Sequence, residues 1–443
     1  MSFSRIIYLF SCTLSFTCLS NDQPWPEWRG PDASGHAFDG KFPIQWSLKK
    51  NLLWSSPLPG RGHSSIVHEN GLVWTTTAFE TKATAEEREE RLKKNEGLPS
   101  VNVLSEVSLR ALRVDPKTGE IIKNIEVIRK KQPQWVHTLN SYASPTPVID
   151  EGRVYLHFGD YGNACLDAKS GKIIWKNNQK ELWVMHENGP GSSPLLWKNL
   201  MIFHLDGSDK QSVVALYKNT GKIAWQTKRS GELRDNPQFQ KSYSTPIVKI
   251  INGNPSLISC SADWVYCYNP ENGKELWKIK YNLLGFSNVS RPIAGHGMLY
   301  ISTCFMKGEI HAYKFNRLKK PQLAWKITKG APKIPSLLLV KKKLYIIGDG
   351  GILTCADAIT GDIEWRERLG GEFSASPTLA NGLLYFLNRA GQTIVVKPGN
   401  KLEIIAENIL DGTPHMASLT PYRNSFFLRS ETSLYRVGLS SQN

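Results

Sequence analysis

A short phrase recurs down this chain of 443 residues, and its spacing constrains the fold more than any other property of the sequence. It opens on Asp or Asn, passes through Thr, Ser or Asn to a Gly, and in four of five copies ends four residues later on Trp. Copies stand at 115–119 (DPKTG), 167–175 (DAKSGKIIW), 219–225 (NTGKIAW), 269–277 (NPENGKELW) and 357–365 (DAITGDIEW). Gly119, Gly171, Gly221 and Gly273 stand 52, 50 and 52 residues apart. A period of this length is the signature of a repeat architecture, in which each repeat is one supersecondary unit that buries its apolar face only against its neighbours.

One repeat reads as four short strands. Residues 143–149 (ASPTPVI) form a brief apolar run, and 153–158 (RVYLHF) alternate as a half-buried strand does. Residues 163–167 (NACLD) and 172–175 (KIIW) follow, separated by the Ser170-Gly171 turn, where Gly supplies a positive φ at low cost. Four antiparallel strands in roughly 40–50 residues make a propeller blade. First strands begin near Ser64, Ser144, Ser193, Thr245, Arg291, Pro335, Ser376 and Ala417. Outer strands carry Trp54, Lys123, Trp175, Trp225, Trp277, Trp325, Trp365 and Ile404. The two sets match in number only if the segment 46–55 supplies the outer strand of the last blade and so hides an open sheet edge. The expected fold is all-β: an eight-bladed β-propeller of four-stranded antiparallel blades closed by an N-terminal strand, with seven blades as the alternative.

Composition bounds the setting. Arg5 followed by an apolar run over 6–18 reads as an export signal, too short to span a bilayer. The expected organisation is a signal peptide over 1–20 and one propeller domain over 21–443, exported to the periplasm or beyond. A lipid anchor on Cys18 is the less favoured alternative, because residues 15–17 fit a lipobox poorly. No later segment is long and apolar enough for a membrane helix. Cys165, Cys260, Cys267, Cys304 and Cys355 would remain after cleavage, an odd number that argues against a disulfide framework. Cys165, Cys267 and Cys355 share a slot with Ala215 six residues before the repeat Gly, which reads as a small core position. Cys260 and Cys267 could alternatively pair across a hairpin. The net charge of +16 favours anionic polymers or an envelope protein as partners, and no aromatic-interleaved basic stripe points to nucleic acid. The expected state is a monomer.

In a propeller, the loops from each outer strand to the next inner strand share one face with the loops between second and third strands. Here those loops hold His63, Trp135, His137, Asn140, Tyr142, His186, Asn188, Asp206, Asp209, Tyr243, Arg291 and His415. These are the candidate ligand-binding residues, because loops on a rigid scaffold are where binding concentrates. The bland alternative is that they satisfy backbone groups around a water-filled axis. His137, His186 and His415 come from separate blades without a diagnostic spacing, so no metal site is expected. Trp135, Tyr142, Tyr161 and Trp264 could serve as stacking platforms for a carbohydrate. An insertion at 80–106 in the first blade contains a helix-like stretch, 84–95, with Thr84 and Glu87 in capping-box positions and little apolar content. It should overhang the same face as a lid or docking arm, or as a plain surface excursion.

The repeat resembles the pyrroloquinoline-quinone-type propeller repeat. Longer phrases, 25–31 (WPEWRGP), 140–147 (NSYASPTP), 189–194 (GPGSSP) and 242–246 (SYSTP), are similar to those of secreted bacterial propellers of this family. Its better-understood relatives are quinoprotein alcohol dehydrogenases and the BamB-like propeller lipoprotein of the outer-membrane β-barrel assembly machine. The resemblance implies pyrroloquinoline quinone as the one cofactor to consider. The dehydrogenases hold the quinone beneath an adjacent-cysteine disulfide and beside calcium, and this chain has no Cys-Cys pair. The expected function is a secreted, non-catalytic scaffold for an envelope protein or polymer. The alternatives are a quinoprotein-like oxidoreductase using the axial face and a carbohydrate-binding module.

Overall fold

The repeated phrase folds as a turn that docks one blade onto the previous one. Asp115 Oδ1 accepts the backbone N–H of Lys117 at 2.7 Å, and Asp167 and Asp357 cap their own turns in the same way. The Gly that follows takes a positive φ, +80° at Gly119 and +69° at Gly221. A side chain there would strike the Trp of the preceding blade. A Cβ on Gly119 would lie 2.5 Å from Trp54, one on Gly221 2.4 Å from Trp175, and one on Gly273 2.5 Å from Trp225. The indole N–H of each Trp donates to the same neighbouring turn, Trp54 to Pro116 O at 3.0 Å, Trp175 to Lys218 O at 2.9 Å and Trp225 to Pro270 O at 3.2 Å. The phrase therefore encodes an interface between blades as well as a turn.

A computed structural model describes residues 23–37, 40–93, 100–281, 285–303, 306–316 and 320–439. The export signal expected over 1–20, Cys304 and the end of the helix-like stretch at 94–95 lie outside the described residues. Eight four-stranded antiparallel sheets follow one another around a ring, as expected. Blade one consists of Val67–Glu69, Leu72–Lys82, Leu104–Val114 and Ile121–Lys131, and blade two of Val148–Asp150, Arg153–His157, Asn163–Asp167 and Ile173–Asn177. Blades three to seven repeat the plan and end on the outer strands Ile223–Lys228, Glu275–Lys280, Gln322–Ile327, Ile363–Arg368 and Ile404–Ile409. Blade eight takes three strands from the C-terminal end of the chain, Thr420–Tyr422, Ser425–Arg429 and Ser433–Gly438. Its fourth is Leu52–Pro57, paired antiparallel with Ser433–Gly438 in the register Trp54↔Arg436.

The closing strand lies later than the expected 46–55. Trp46 is held elsewhere: its backbone N–H donates to Asn408 Oδ1 at 2.7 Å, and its ring stacks on Tyr385 with centroids 6.2 Å apart. Cys165, Cys260, Cys267 and Cys355 are free thiols buried in strands, where burial raises the pKa of each. Cys260 and Cys267 are accordingly not paired.

Candidate functional site

The inner strands meet around the axis through a belt of hydroxyls. The backbone N–H of Ser65 donates to Thr146 Oγ1, that of Thr146 to Ser193 Oγ, and that of Ser193 to Thr245 Oγ1, each at 2.9 Å. On the other side Arg291 N–H donates to Ser336 Oγ, Ser336 to Ser376 Oγ, Ser376 to Ser418 Oγ, and Ser418 back to Ser65 Oγ, at 2.9–3.1 Å. Seven blades supply a hydroxyl, and the fifth supplies Arg291 in its place.

Arg291 turns its side chain toward the N-terminal segment. Its Nη2 pairs with Glu27 Oε1 at 3.0 Å, Nη1 donates to Trp28 O, and Nε donates to Pro246 O at 3.1 Å. The segment 25–37 crosses the axis, which gives the WPEWRGP phrase its structural role. Trp25 bridges His68 of blade one, and Pro26 O accepts Ile149 N–H of blade two. Asp32 O accepts Lys249 of blade four, and Arg29 donates to Leu337 O and Pro377 O of blades six and seven. Trp28 Nε1 donates to Ser418 Oγ of blade eight at 3.3 Å. Most of these anchors lie one to four residues past the belt hydroxyl of their blade, so the segment seals the axis on the side away from the loops.

What remains is a well of about 580 Å³, floored by Trp28 and walled by Ser65, Thr146, Ser193, Thr245 and Ser418 of the belt. Its upper wall carries Leu139, Phe286, Val289, Ile334 and Met416 from the loops that precede the inner strands. Of the candidate residues, His63, His137, Asn140, Asn188 and Tyr243 line this well together. Lys241, in the loop before blade four, also lines it, with Nζ held by Glu187 Oε2 at 2.7 Å and Gln238 Oε1 at 2.5 Å. Burial lowers the pKa of Lys241 and of His63.

The other candidates do not line the well. Tyr142 is fully buried and donates its hydroxyl to Gln134 O. Trp135, next to Gln134 in sequence, is half-buried. His186 Nε2 lies 2.6 Å from Asp160 Oδ1, and its Nδ1 accepts Gly189 N–H at 3.2 Å. Asp206 forms a two-point ion pair with Arg229, at 3.0 and 2.8 Å, with both side chains wholly buried. Asp209 is exposed and accepts Met185 N–H at 2.7 Å. His415 is buried against Tyr435 with Nδ1 2.7 Å from Thr413 O, and burial lowers its pKa.

His137, His186 and His415 do not converge, and the described residues contain no group of three His, Cys, Asp or Glu suited to a metal. Nor do the four aromatics form one platform. Tyr142 and Tyr161 pack on each other in the core at 5.8 Å, while Trp264 lies on blade four under Lys278 and Lys280.

The insertion in blade one is a built arm. Its flanking strands Leu72–Lys82 and Leu104–Val114 each run 11 residues. The helix Ala85–Leu92 is capped by Thr84, whose Oγ1 accepts Glu87 N–H at 3.1 Å, and it has no buried residue. Arg91 donates to Leu104 O and Pro133 O, and Val101–Asn102 pairs with Val136–His137. His137 lines the well, so the arm is fastened at its mouth.

The donor set does not fit a calcium-bound quinone. No Asp or Glu lines the well among the described residues, and Cys165, Cys260, Cys267 and Cys355 all lie within blade strands.

The geometry defines a class: an eight-bladed propeller with a floored axial well and an arm at its mouth. Family comparison places it further. The model of the outer membrane protein assembly factor BamB family matches residues 49–227, 128–315 and 261–415, and the chain belongs to that family. It is 22% identical over 324 residues to the outer membrane protein assembly factor BamB of Yersinia pestis, covering 68% of this chain and 77% of that protein. It is 26% identical over 167 residues to the quinoprotein alcohol dehydrogenase PedH of Pseudomonas putida, covering 35% of this chain and only 26% of that protein. The fold matches the crystal structure of BamB from Moraxella catarrhalis with a TM-score of 0.57 at 11% identity, over 88% of this chain and 98% of that one. It matches a europium-containing methanol dehydrogenase with a TM-score of 0.54 at 11% identity, over 95% and 99%. The structural likenesses speak for the propeller fold alone.

Proposed function

We propose that this protein is an exported propeller scaffold of the cell envelope that holds a protein or anionic-polymer partner on its loop-bearing face and performs no chemistry of its own. The observation that carries the reading is the arm of blade one. A helix with no buried side chain has no folding role of its own to justify its position, yet this one is fastened by Arg91, Arg88 and a two-stranded sheet at the mouth of the well. Exposed helices on rigid mounts present side chains to something else. Family membership supports the reading, since its namesake is an assembly factor. The pairing of charges on the same face also supports it. His186 with Asp160, Asp206 with Arg229, and Lys241 with Glu187 engage one another, which leaves them poorly placed as an acid and a base for a substrate.

The test is capture from envelope extracts with the intact protein and with a variant whose residues 85–92 are replaced by Gly and Ser. The scaffold reading expects one stoichiometric partner that the variant loses while its melting curve is unchanged. Equal capture by both proteins would remove the arm from the account.

A further inference from the structure

The hydroxyl belt has an asymmetry that bears on what the well can hold. A hydroxyl offers one proton and two lone pairs. Ser65, Thr146, Ser193, Thr245 and Ser418 all line the well, and each uses a lone pair to accept a backbone N–H from an adjacent blade. Among the described residues, none of the five donates its own proton to a protein acceptor. Ser65, Thr146, Ser193 and Thr245 are less than 5% exposed, so their surplus protons sit in a confined space. Buried donors call for acceptors.

The charges around the well lean the same way. Arg429 is fully buried behind Ser64, where Nη1 donates to Ser64 O, Ser64 Oγ and Thr75 Oγ1, while Nε and Nη2 have no partner among the described residues. Arg29, under the floor, meets the carbonyls of Ser34, Leu337 and Pro377. Neither guanidinium has a carboxylate within ion-pair distance among the described residues. The carboxylates nearby are already matched, Glu27 by Arg291, Glu187 by Lys241, and Glu431 by Arg61 beside His63. Cations embedded in a low-dielectric wall focus a positive potential into a cleft. Above the belt the wall turns apolar at Leu139, Phe286, Val289, Ile334 and Met416.

We propose that the axial well is a binding site for an amphiphilic oxyanion, with carboxylate or phosphate oxygens at the hydroxyl belt and an apolar body directed toward the mouth. A well of about 580 Å³ is of the size that encloses a small organic molecule. The site concerns the axis, so it stands or falls apart from the partner reading, which concerns the arm.

The test is calorimetric titration of the full-length protein with octanoate, octyl phosphate, octylammonium and octanol. One octanoate or octyl phosphate per chain is expected to bind at least about tenfold more tightly than octylammonium, and the tighter of the two oxyanions identifies the head group. Ile334→Asp places a carboxylate in the upper wall without touching the belt. It should weaken the oxyanion about tenfold or more and leave octanol unchanged. Ser193→Ala should also weaken the oxyanion, while Thr245→Ser, which keeps its hydroxyl, should not. Equal or tighter binding of octylammonium, no saturable binding of either oxyanion, or no effect of either Ile334→Asp or Ser193→Ala would overturn the assignment.

Discussion

Trp175 lies beneath Gly221 of the next blade, with its indole N–H on Lys218 O and no room for a Cβ between ring and turn. The same contact recurs at Trp54 and Gly119, Trp225 and Gly273, and Trp325 and Gly361. Gly221→Ala should therefore destabilise the fold twice over, through a positive φ and through overlap with the ring, by about 2–3 kcal/mol. Gly152 has a φ of +74° and nothing within 4 Å, so Gly152→Ala isolates the backbone effect and should cost about 1 kcal/mol. Urea unfolding of the two variants measures the difference.

The buried Asp206–Arg229 pair predicts an asymmetry between single and double substitution. Asp206→Ala leaves a guanidinium with no counter-ion beside the stacked rings of Tyr266 and Tyr268, and should cost about 3–5 kcal/mol. Replacing both residues with apolar side chains of similar volume should recover much of that loss. A double-mutant cycle in urea checks it.

Stability should fall as pH drops from 7 to 5. Burial holds His157 down to about 4, with its Nδ1 2.7 Å from Asn163 Oδ1, and burial lowers His63, His204 and His415 as well. Below about pH 6.5 the unfolded chain takes up protons that the folded chain refuses, so the unfolded state gains. His157 alone should contribute a loss of about 2 kcal/mol by pH 5, and stability is fully retained above its unfolded pKa. His157→Gln should flatten this slope in a series of melting curves.

Arg291 fastens the segment that floors the well. Arg291→Met should leave the half-buried Glu27 without its ion-pair partner, a loss of about 1–3 kcal/mol that falls first on the segment 25–37. Hydrogen exchange should then lose protection at the Trp25 amide, which is bonded to His68 O, before it changes at the strand Ile173–Asn177. Glu27→Gln in the same chain should restore part of the protection.

The architecture was legible because the Gly–Trp phrase encodes contact between neighbouring blades, and neighbours in the ring are neighbours in sequence. Eight blades and an N-terminal closing strand follow from it. The closing strand itself was placed six residues early, because Trp46 is apolar like a strand residue yet packs on Tyr385, more than three hundred positions away. The well was legible only in part. His63, His137, Asn140, Asn188 and Tyr243 share it, while Asp206 and Arg291 answer to Arg229 and Glu27, partners no local pattern reveals. Trp28 and the belt were missed as site residues. A signal did exist: Thr146, Ser193, Thr245 and Ser376 each stand directly before a Pro that opens an inner strand, a recurrence that marks one structural position in successive blades.

The central claim, that the arm of blade one meets a partner, is tested most directly by site-specific photo-crosslinking in cells. A crosslinking residue at exposed Glu86 or Glu90 of the helix should give one discrete adduct with an envelope component. The same residue at exposed Lys117 or Asn272, in turns between third and fourth strands on the opposite face, should give none. Identical patterns at all four positions, or no adduct from the helix, would contradict the scaffold account.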